Sequence, residues 1–310
     1  MQDINQKTIL KPIKFEGIGL HSGLLSKVKL IPSEENTGIV FKRVDLTKDN
    51  LIKADYKNVS SAKLCTTLQN SSGVTVSTVE HLMAAFYVTG VDNVIIEIDN
   101  PEVPIMDGSS LDFVNLINKS GLKRLLAKRK YLKIIKDVKF KDNKKIISIS
   151  PSNNEESLKV SFEIDYENEF IQNQKNEVNF NNKELEQVYS SRTFCLYEDI
   201  EKIKKNGLAK GGSLDNAIVV KGNEVLNKDG LRNKKEFVNH KILDLAGDFL
   251  LSGYRILGNV NCVHGGHLLT NTFLKKLFEE SSNFKEVVID DIKSTNRVFK
   301  TQISKIAVNA

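Results

Sequence analysis

The sequence predicts an α+β protein of two comparable domains, each with a β-sheet packed on helices. In the first 120 residues, short β-rich runs surround one clear helical stretch, and the second half repeats strand-like segments followed by helical ones. The chain has 310 residues, of which 40% are hydrophobic, enough for one large core or two ordinary ones. We place the domain boundary near residues 122–130, which gives an N-terminal domain of residues 1–125 and a C-terminal domain of residues 126–310.

Individual elements follow from hydrophobic periodicity and from glycines at helix ends. Apolar runs predict strands at residues 28–31, 38–41, 94–98, 131–135, 146–149 and 158–164. Helical spacing predicts helices at residues 79–87, 109–120, 183–188, 196–205, 237–251 and 272–280. Gly121 is the expected end of the second helix and Gly253 that of the fifth. Polar amide clusters predict exposed loops at residues 153–157 and 172–182.

Composition narrows the function classes. The 45 Lys and Arg residues only slightly outnumber the 39 Asp and Glu residues, and a dedicated nucleic-acid binder is usually more lopsided than a net charge of +6. The three cysteines, Cys65, Cys195 and Cys262, lie far apart, so neither a disulfide framework nor a thiolate zinc knuckle is indicated. The N-terminus has no apolar segment of the signal-peptide type, and no stretch approaches the length needed to cross a bilayer. We therefore expect a soluble, cytoplasmic protein.

A Glu-His pair opens the first predicted helix. His81 follows Glu80 in the segment STVEHLMAAF. Ser77 and Glu80 have the spacing of a capping box, so helix capping is one interpretation of Glu80. The pair also suits a metal site, in which the histidine binds the ion and the glutamate takes the proton of the ion's water. The segment alone leaves both interpretations open.

A second candidate helix carries a polar stripe. The segment FVNHKILDLAGDFLLSG places His240, Asp244 and Asp248 at positions i, i+4 and i+8, opposite an apolar face. One interpretation is a solvated stripe with a His-Asp pair. The other is that His240 and Asp244 bind one ion, with His81 as the third ligand of a zinc site that keeps its fourth position for water.

Two further histidines surround a Gly-Gly pair in NVNCVHGGHLLTN. Gly265 and Gly266 allow the close backbone approach that a binding loop requires. His267 precedes an apolar helical run, and a charged imidazole at a helix N-terminus needs an anionic partner, for which Asp248 is the candidate. The other glycine cluster, LAKGGSLDNAIVV, lacks the spacing of a phosphate-binding loop, and the chain has no GxSxG motif.

Together these blocks resemble the UDP-3-O-acyl-N-acetylglucosamine deacetylases of lipid A biosynthesis, the LpxC family. The resemblance runs from QKTILKPIKFEGIGLHSG through STVEHLMAAF, NPEVPIMDGSS, SRTFCLYEDI and GLAKGGSLDNAIVV to HKILDLAGD and GGHLLTN, in the family's order. It implies two domains that share a two-layer fold of sheets and helices, with the active site between them. It also implies a Zn²⁺ cofactor and hydrolysis of the 2-acetamido group of a UDP-linked, 3-O-acylated glucosamine.

Matched position by position, the resemblance assigns the catalytic groups. It implies that the zinc ligands are His81, His240 and Asp244. Glu80 matches the family's general base, and His267 matches a protonated histidine paired with Asp248. Which of Glu80 and His267 protonates the leaving amine stays open.

The resemblance also implies substrate contacts. Thr193 matches a threonine that stabilises the oxyanion, and Lys241 a lysine that contacts the polar head of the substrate. Tyr166 stands where the family often has a phenylalanine that stacks on uracil, and His21 lies in the GIGLHSG block near the site.

Residues 193–220 resemble a βαβ insert that forms a hydrophobic passage for the acyl chain. Lys210 falls where family members commonly have an apolar residue, which leaves the preferred acyl length open. The candidate lining residues, for which local core is the alternative, are Phe194, Ile200, Ile203, Leu208 and Ile218.

Two other function classes are compatible with these sequence features. Two histidines and a carboxylate also form the facial triad of non-haem Fe(II) oxygenases, which commonly places its His and Asp two residues apart rather than four. The basic stretches at residues 123–133 and 139–145 are candidates for a surface that binds anionic lipid or nucleic acid. Like-charge runs are usually solvated faces, so we expect at most peripheral membrane contact, no nucleic-acid partner and a monomer.

Overall fold

The computed structural model describes residues 4–152, 157–181 and 185–288, and it confirms the α+β fold class. The α-helices are α1 (Glu80–Thr89), α2 (Leu111–Ser120), α3 (Glu186–Tyr189), α4 (Tyr197–Lys205), α5 (Glu236–Leu250) and α6 (His267–Glu279). The strands before α2 are β1 (Asn5–Ile9), β2 (Ile13–Ile18), β3 (Leu25–Pro32), β4 (Ile39–Arg43), β5 (Leu51–Lys53), β6 (Val59–Ser61), β7 (Thr67–Gln69), β8 (Thr75–Val76) and β9 (Val94–Ile98).

The strands after α2 begin with β10 (Leu122–Lys128), which pairs with β1 in a two-stranded ribbon. The remaining strands are β11 (Tyr131–Ile134), β12 (Val138–Asp142), β13 (Lys145–Ser150), β14 (Leu158–Asp165), β15 (Asn173–Asn179), β16 (Phe194–Leu196), β17 (Ile218–Lys221), β18 (Glu224–Val225), β19 (Arg255–Val263) and β20 (Phe284–Val287). The parallel pair of β16 and β17 is connected through α4.

Two larger sheets dominate the fold. The first has five strands in the order β2-β3-β9-β4-β5, and α2 lies against β2 and α1. The second has seven strands, with β19 at its centre between β13, β14 and β11, and is covered by α5 and α6. Buried and less buried residues alternate along β4, β9 and β14, because one face of each strand lies in the hydrophobic core. The division into domains at residue 125 stays a prediction.

The two halves meet where α1 packs along α5. The helices approach so closely that a Cβ built on Gly247 would overlap the carbonyl oxygen of Glu80. The far end of α1 is also held, because Arg255 donates to the carbonyls of Phe86 and Tyr87. Cationic groups at a helix C-terminus satisfy free carbonyls and complement the helix dipole. Helix α1 is thus fixed along its length and at its C-terminus.

Several local predictions were wrong. The capping box does not form: Ser77 donates to the carbonyl of Pro101, and no side chain among the described residues caps α1. Residues 173–179, predicted as loop, form β15, because backbone pairing with β14 stabilises an edge strand without much burial. Helix α6 starts at His267, five residues before the predicted position of 272. Its polar residues Thr270 and Asn271 are buried, and Asn271 donates to the carbonyl of Tyr56. Residues 153–156 and 182–184 of the predicted loops and of the third helix lie outside the described residues.

Candidate active site

Three side chains from two distant segments converge between α1 and α5. His81 is the second residue of α1, and His240 and Asp244 lie one turn apart on α5. Nε2 of His81 lies 3.5 Å from Oδ1 of Asp244, and Nε2 of His240 lies 3.4 Å from the same oxygen. All three side chains are buried, with exposed fractions between 1 and 4%. The interpretation of His240 and Asp244 as a solvated stripe is therefore wrong.

The trio fits a metal ion. Nitrogen and oxygen ligands about 2.0–2.1 Å from a tetrahedral zinc ion lie about 3.3–3.4 Å apart, close to the separations seen here. Oδ1 of Asp244 is buried, and none of the described residues hydrogen-bonds to it. A buried carboxylate oxygen without a donor is costly, and a cation removes that cost. His81, His240 and Asp244 thus form a group able to hold a metal ion.

His240 is prepared for ligation by its surroundings. Its Nδ1 donates to the carbonyl of Ser191 at 3.0 Å, which leaves the lone pair on Nε2, the nitrogen that faces Asp244. Burial lowers the pKa of His240 to about 3, so the ring stays neutral at physiological pH. A metal-binding imidazole must be neutral, and the site meets this requirement.

Asp244 is held as an anion. Burial alone would raise its pKa, but Lys241 and the protonated His267 hold the pKa well below its usual range. Nζ of Lys241 donates to Oδ2 of Asp244 at 3.1 Å and also lies 5.5 Å from the ring centre of Phe194. Tyr166 packs edge-on against Phe194 at 5.7 Å. Lys241, Phe194 and Tyr166 thus form one wall beside the metal-binding group.

Glu80 and His267 face each other beside the trio. Nε2 of His267 lies 3.6 Å from Oε1 of Glu80 and 3.9 Å from Oδ2 of Asp244. Burial raises the pKa of Glu80, while the nearby His267 and His81 oppose the rise. For His267, burial alone would lower the pKa. The carboxylates of Asp248, Glu80 and Asp244 outweigh burial and raise the pKa of His267 to about 10. The site therefore pairs a carboxylate with a protonated imidazole.

Asp248 and Thr66 support that pair. Nδ1 of His267 donates to Oδ2 of Asp248 at 2.8 Å. The hydroxyl of Thr66 donates to Oδ1 of Asp248 at 2.7 Å, and the backbone N–H of Thr66 donates to Oε2 of Glu80 at 3.0 Å. Thr66 thus positions both carboxylates. Sequence reasoning missed it, because a single threonine outside any helix carries no periodicity or motif signal.

Glu102 is another residue that sequence reasoning missed. Its carboxylate accepts hydrogen bonds from the backbone N–H groups of His21 and Ser22 and from the hydroxyl of Thr78. Thr78 has a positive φ of 56° just before α1 begins. Glu102 therefore ties the His21 loop to the start of the helix that carries Glu80 and His81. Its only sequence signal was its place in the NPEVPIMDGSS block.

A mostly apolar cavity of about 380 Å³ lies next to Thr193 and Phe194. Of the predicted passage residues, Phe194, Ile200 and Ile203 line it, together with His21. Leu208 and Ile218 do not line it. Strand β17 alternates its side chains, so Val219 faces the cavity while Ile218 packs into the core. Cys195 also lines the cavity, and burial raises the pKa of its thiol.

Known proteins extend this picture. The sequence matches the family model of UDP-3-O-acyl N-acetylglycosamine deacetylase, LpxC, over residues 6–279. Among similar proteins named UDP-3-O-acyl-N-acetylglucosamine deacetylase, that of Mannheimia succiniciproducens is 43% identical over 93% of this chain and 94% of its own length. That of Shewanella frigidimarina is 41% identical with the same coverage, and that of a Psychrobacter species is 38% identical over 96% of this chain and all of its own.

The family match spans most of the chain and includes every residue of the site described above. It argues against the oxygenase interpretation, as does the spacing of His240 and Asp244. None of the helices in the described ranges has the length and apolar character needed to span a membrane. The chain is a hydrolase that belongs to the LpxC family of deacetylases.

Proposed function

We propose that the chain is a zinc-dependent enzyme that hydrolyses the 2-acetamido group of UDP-3-O-acyl-N-acetylglucosamine, releasing acetate, in lipid A biosynthesis. The observation that carries the proposal is the convergence of His81, His240 and Asp244 beside Glu80 and His267 in a chain of this family. The names of the relatives state the substrate. We further propose that the enzyme works in the cytoplasm as a monomer.

Amide hydrolysis requires an activated water, a stabilised oxyanion and a proton for the leaving amine. Zinc held by His81, His240 and Asp244 would supply a water of lowered pKa and polarise the acetamide carbonyl. Glu80, whose pKa is raised by burial, accepts the proton of the attacking water. The water oxygen bonds to the carbonyl carbon, and negative charge develops on the carbonyl oxygen.

The protonated His267 and the hydroxyl of Thr193 stabilise that charge. The C–N bond then breaks, the amine nitrogen takes a proton from Glu80 or His267, and acetate leaves. Lys241, Phe194 and Tyr166 bind the polar part of the substrate. The cavity beside Thr193, lined by Ile200 and Ile203, takes up the acyl chain. Leu208 and Ile218, which lie outside the lining, keep at most a supporting role there.

The test is acetate release from the UDP-sugar by the purified zinc-loaded chain. Glu80→Gln removes the base with almost no change in shape, so turnover should fall on the order of 10²–10⁴-fold while the metal content stays the same. The matched control is Glu177→Gln on β15, where the carboxylate is exposed and pairs with Lys159. A Glu80→Gln protein that releases acetate at the normal rate refutes the assignment of the base.

A further inference from the structure

The ribbon of β1 and β10 presents an exposed leucine on a bulge. Between its paired residues Arg124 and Lys128, β10 spans four residues, whereas β1 spans only two between Lys7 and Asn5. The side-chain amide of Asn5 donates to the carbonyls of Leu125 and Leu126 in the bulge, at 2.9 Å each. Leu125 points inward and is 5% exposed, whereas Leu126 is 87% exposed. The bulge is thus held by specific hydrogen bonds, and it directs Leu126 into solvent.

The chain around this bulge is strongly basic. Residues 4–11 and 119–130 contain eight Lys and Arg residues and no Asp or Glu. Two of the cations form salt bridges within the chain: Arg129 pairs with Asp92 at 2.6 Å, and Lys130 pairs with Glu286 at 2.8 Å. The segments are adjacent in space, because the N–H of Leu10 donates to the carbonyl of Gly121. Leu10 is itself 51% exposed.

Four of these cations have no carboxylate partner among the described residues. Within the part of the chain that the structure describes, no carboxylate lies within 4.0 Å of the charged groups of Lys11, Lys119, Lys123 or Arg124. These four residues, with Leu10 and Leu126, are here called the ribbon surface. Leu126 is the most exposed large hydrophobic side chain among the described residues, and it follows Lys123 and Arg124 on the same strand.

We propose that the ribbon surface docks the protein on a bilayer that contains anionic phospholipids. The charge complementarity carries the choice of partner: clustered Lys and Arg are attracted to the negative surface potential of such a bilayer. Leu126 and Leu10 enter the region between the headgroups, where apolar side chains leave water. The inference goes beyond the deacetylase activity and does not depend on it.

Vesicle flotation with the full chain tests the proposal. The chain should bind vesicles of phosphatidylcholine and phosphatidylglycerol, should not bind phosphatidylcholine alone, and should dissociate as salt is raised. The variant K123E/R124E should bind the vesicles at least about 30-fold more weakly. This factor corresponds to about 1 kcal/mol for each of the two basic residues removed from near the anionic surface. Leu126→Ser should weaken binding while leaving its salt dependence in place.

The matched control is K139E/K141E on β12, which makes the same change in net charge on another exposed basic stretch. It should bind as the unaltered chain does. Acetate release and the melting temperature, unchanged in K123E/R124E, would show that the variant folds. Equal loss of binding in both charge variants would overturn the proposal, as would tighter binding of the ribbon surface to duplex DNA or RNA than to the anionic vesicles.

Discussion

We expect the loss of the Thr66 hydroxyl to lower both the stability and the activity of the protein. Its hydroxyl donates to the buried carboxylate of Asp248 at 2.7 Å, while its backbone N–H donates to Glu80. Thr66→Val keeps the shape and the backbone contact and removes only the hydroxyl. A hydrogen bond to a charged group contributes about 1.5–3 kcal/mol, and Thr66 is only 2% exposed, so water cannot replace the lost donor.

The loss of this hydrogen bond should lower the melting temperature. An unfolding entropy of about 2.1 cal/mol/K per residue gives about 0.65 kcal/mol/K for this chain, so Thr66→Val should melt about 2–5 °C lower. The same free energy sets the expected loss of kcat/KM at about 10–150-fold, because Asp248 orients His267.

The prediction is tested by measuring the melting temperature by calorimetry and the rate of acetate release for Thr66→Val and Thr66→Ser. Thr66→Ser retains a hydroxyl and should stay near the unaltered protein in both measurements. If Thr66→Val melts and turns over normally, or if Thr66→Ser loses as much as Thr66→Val, the hydroxyl does not support Asp248 and the reasoning fails.

Three further predictions concern the same site. His240→Ala should lose most of its metal, measured by elemental analysis, with little change in circular dichroism; full metal content would rule out ligation by His240. Asp248→Asn removes the largest contribution that raises the pKa of His267. The imidazolium then deprotonates at lower pH, so the alkaline limb of the rate profile should move to lower pH; an unmoved limb contradicts this. Gly247→Ala forces α1 and α5 apart and should cost about 1–3 kcal/mol in denaturant unfolding; an unchanged midpoint would show that the helices adapt.

Helix α5 was largely predictable from sequence. Its helical spacing gave bounds of 237–251 against Glu236–Leu250 in the structure. The same spacing could not say where the polar stripe faces, because periodicity alone does not distinguish a stripe in solvent from one around an internal site. His240 and Asp244 are buried since α1 covers them. The metal ligands therefore required the family resemblance, whereas helical geometry only made them candidates.

Other features had no local signal. Glu80 resembled a capping residue, but Thr66 draws its carboxylate into the site. The contribution of Thr66 requires the residue just before β7 to meet α1 and α5, which is a property of the tertiary fold. Residues 173–179 lack apolar content, and only the neighbouring β14 makes them a strand. In each case long-range pairing overrides local composition.

The anchoring of α1 by Arg255 has a consequence for the folding of the chain during its translation. His81 leaves the ribosome long before Arg255 and His267, and at about 5–20 residues per second the delay between His81 and His267 is about 10–40 s. During that interval α1 lacks both its neighbour α5 and the guanidinium at its C-terminus. The nascent chain must therefore shield a largely apolar helix from aggregation until its last third has been translated.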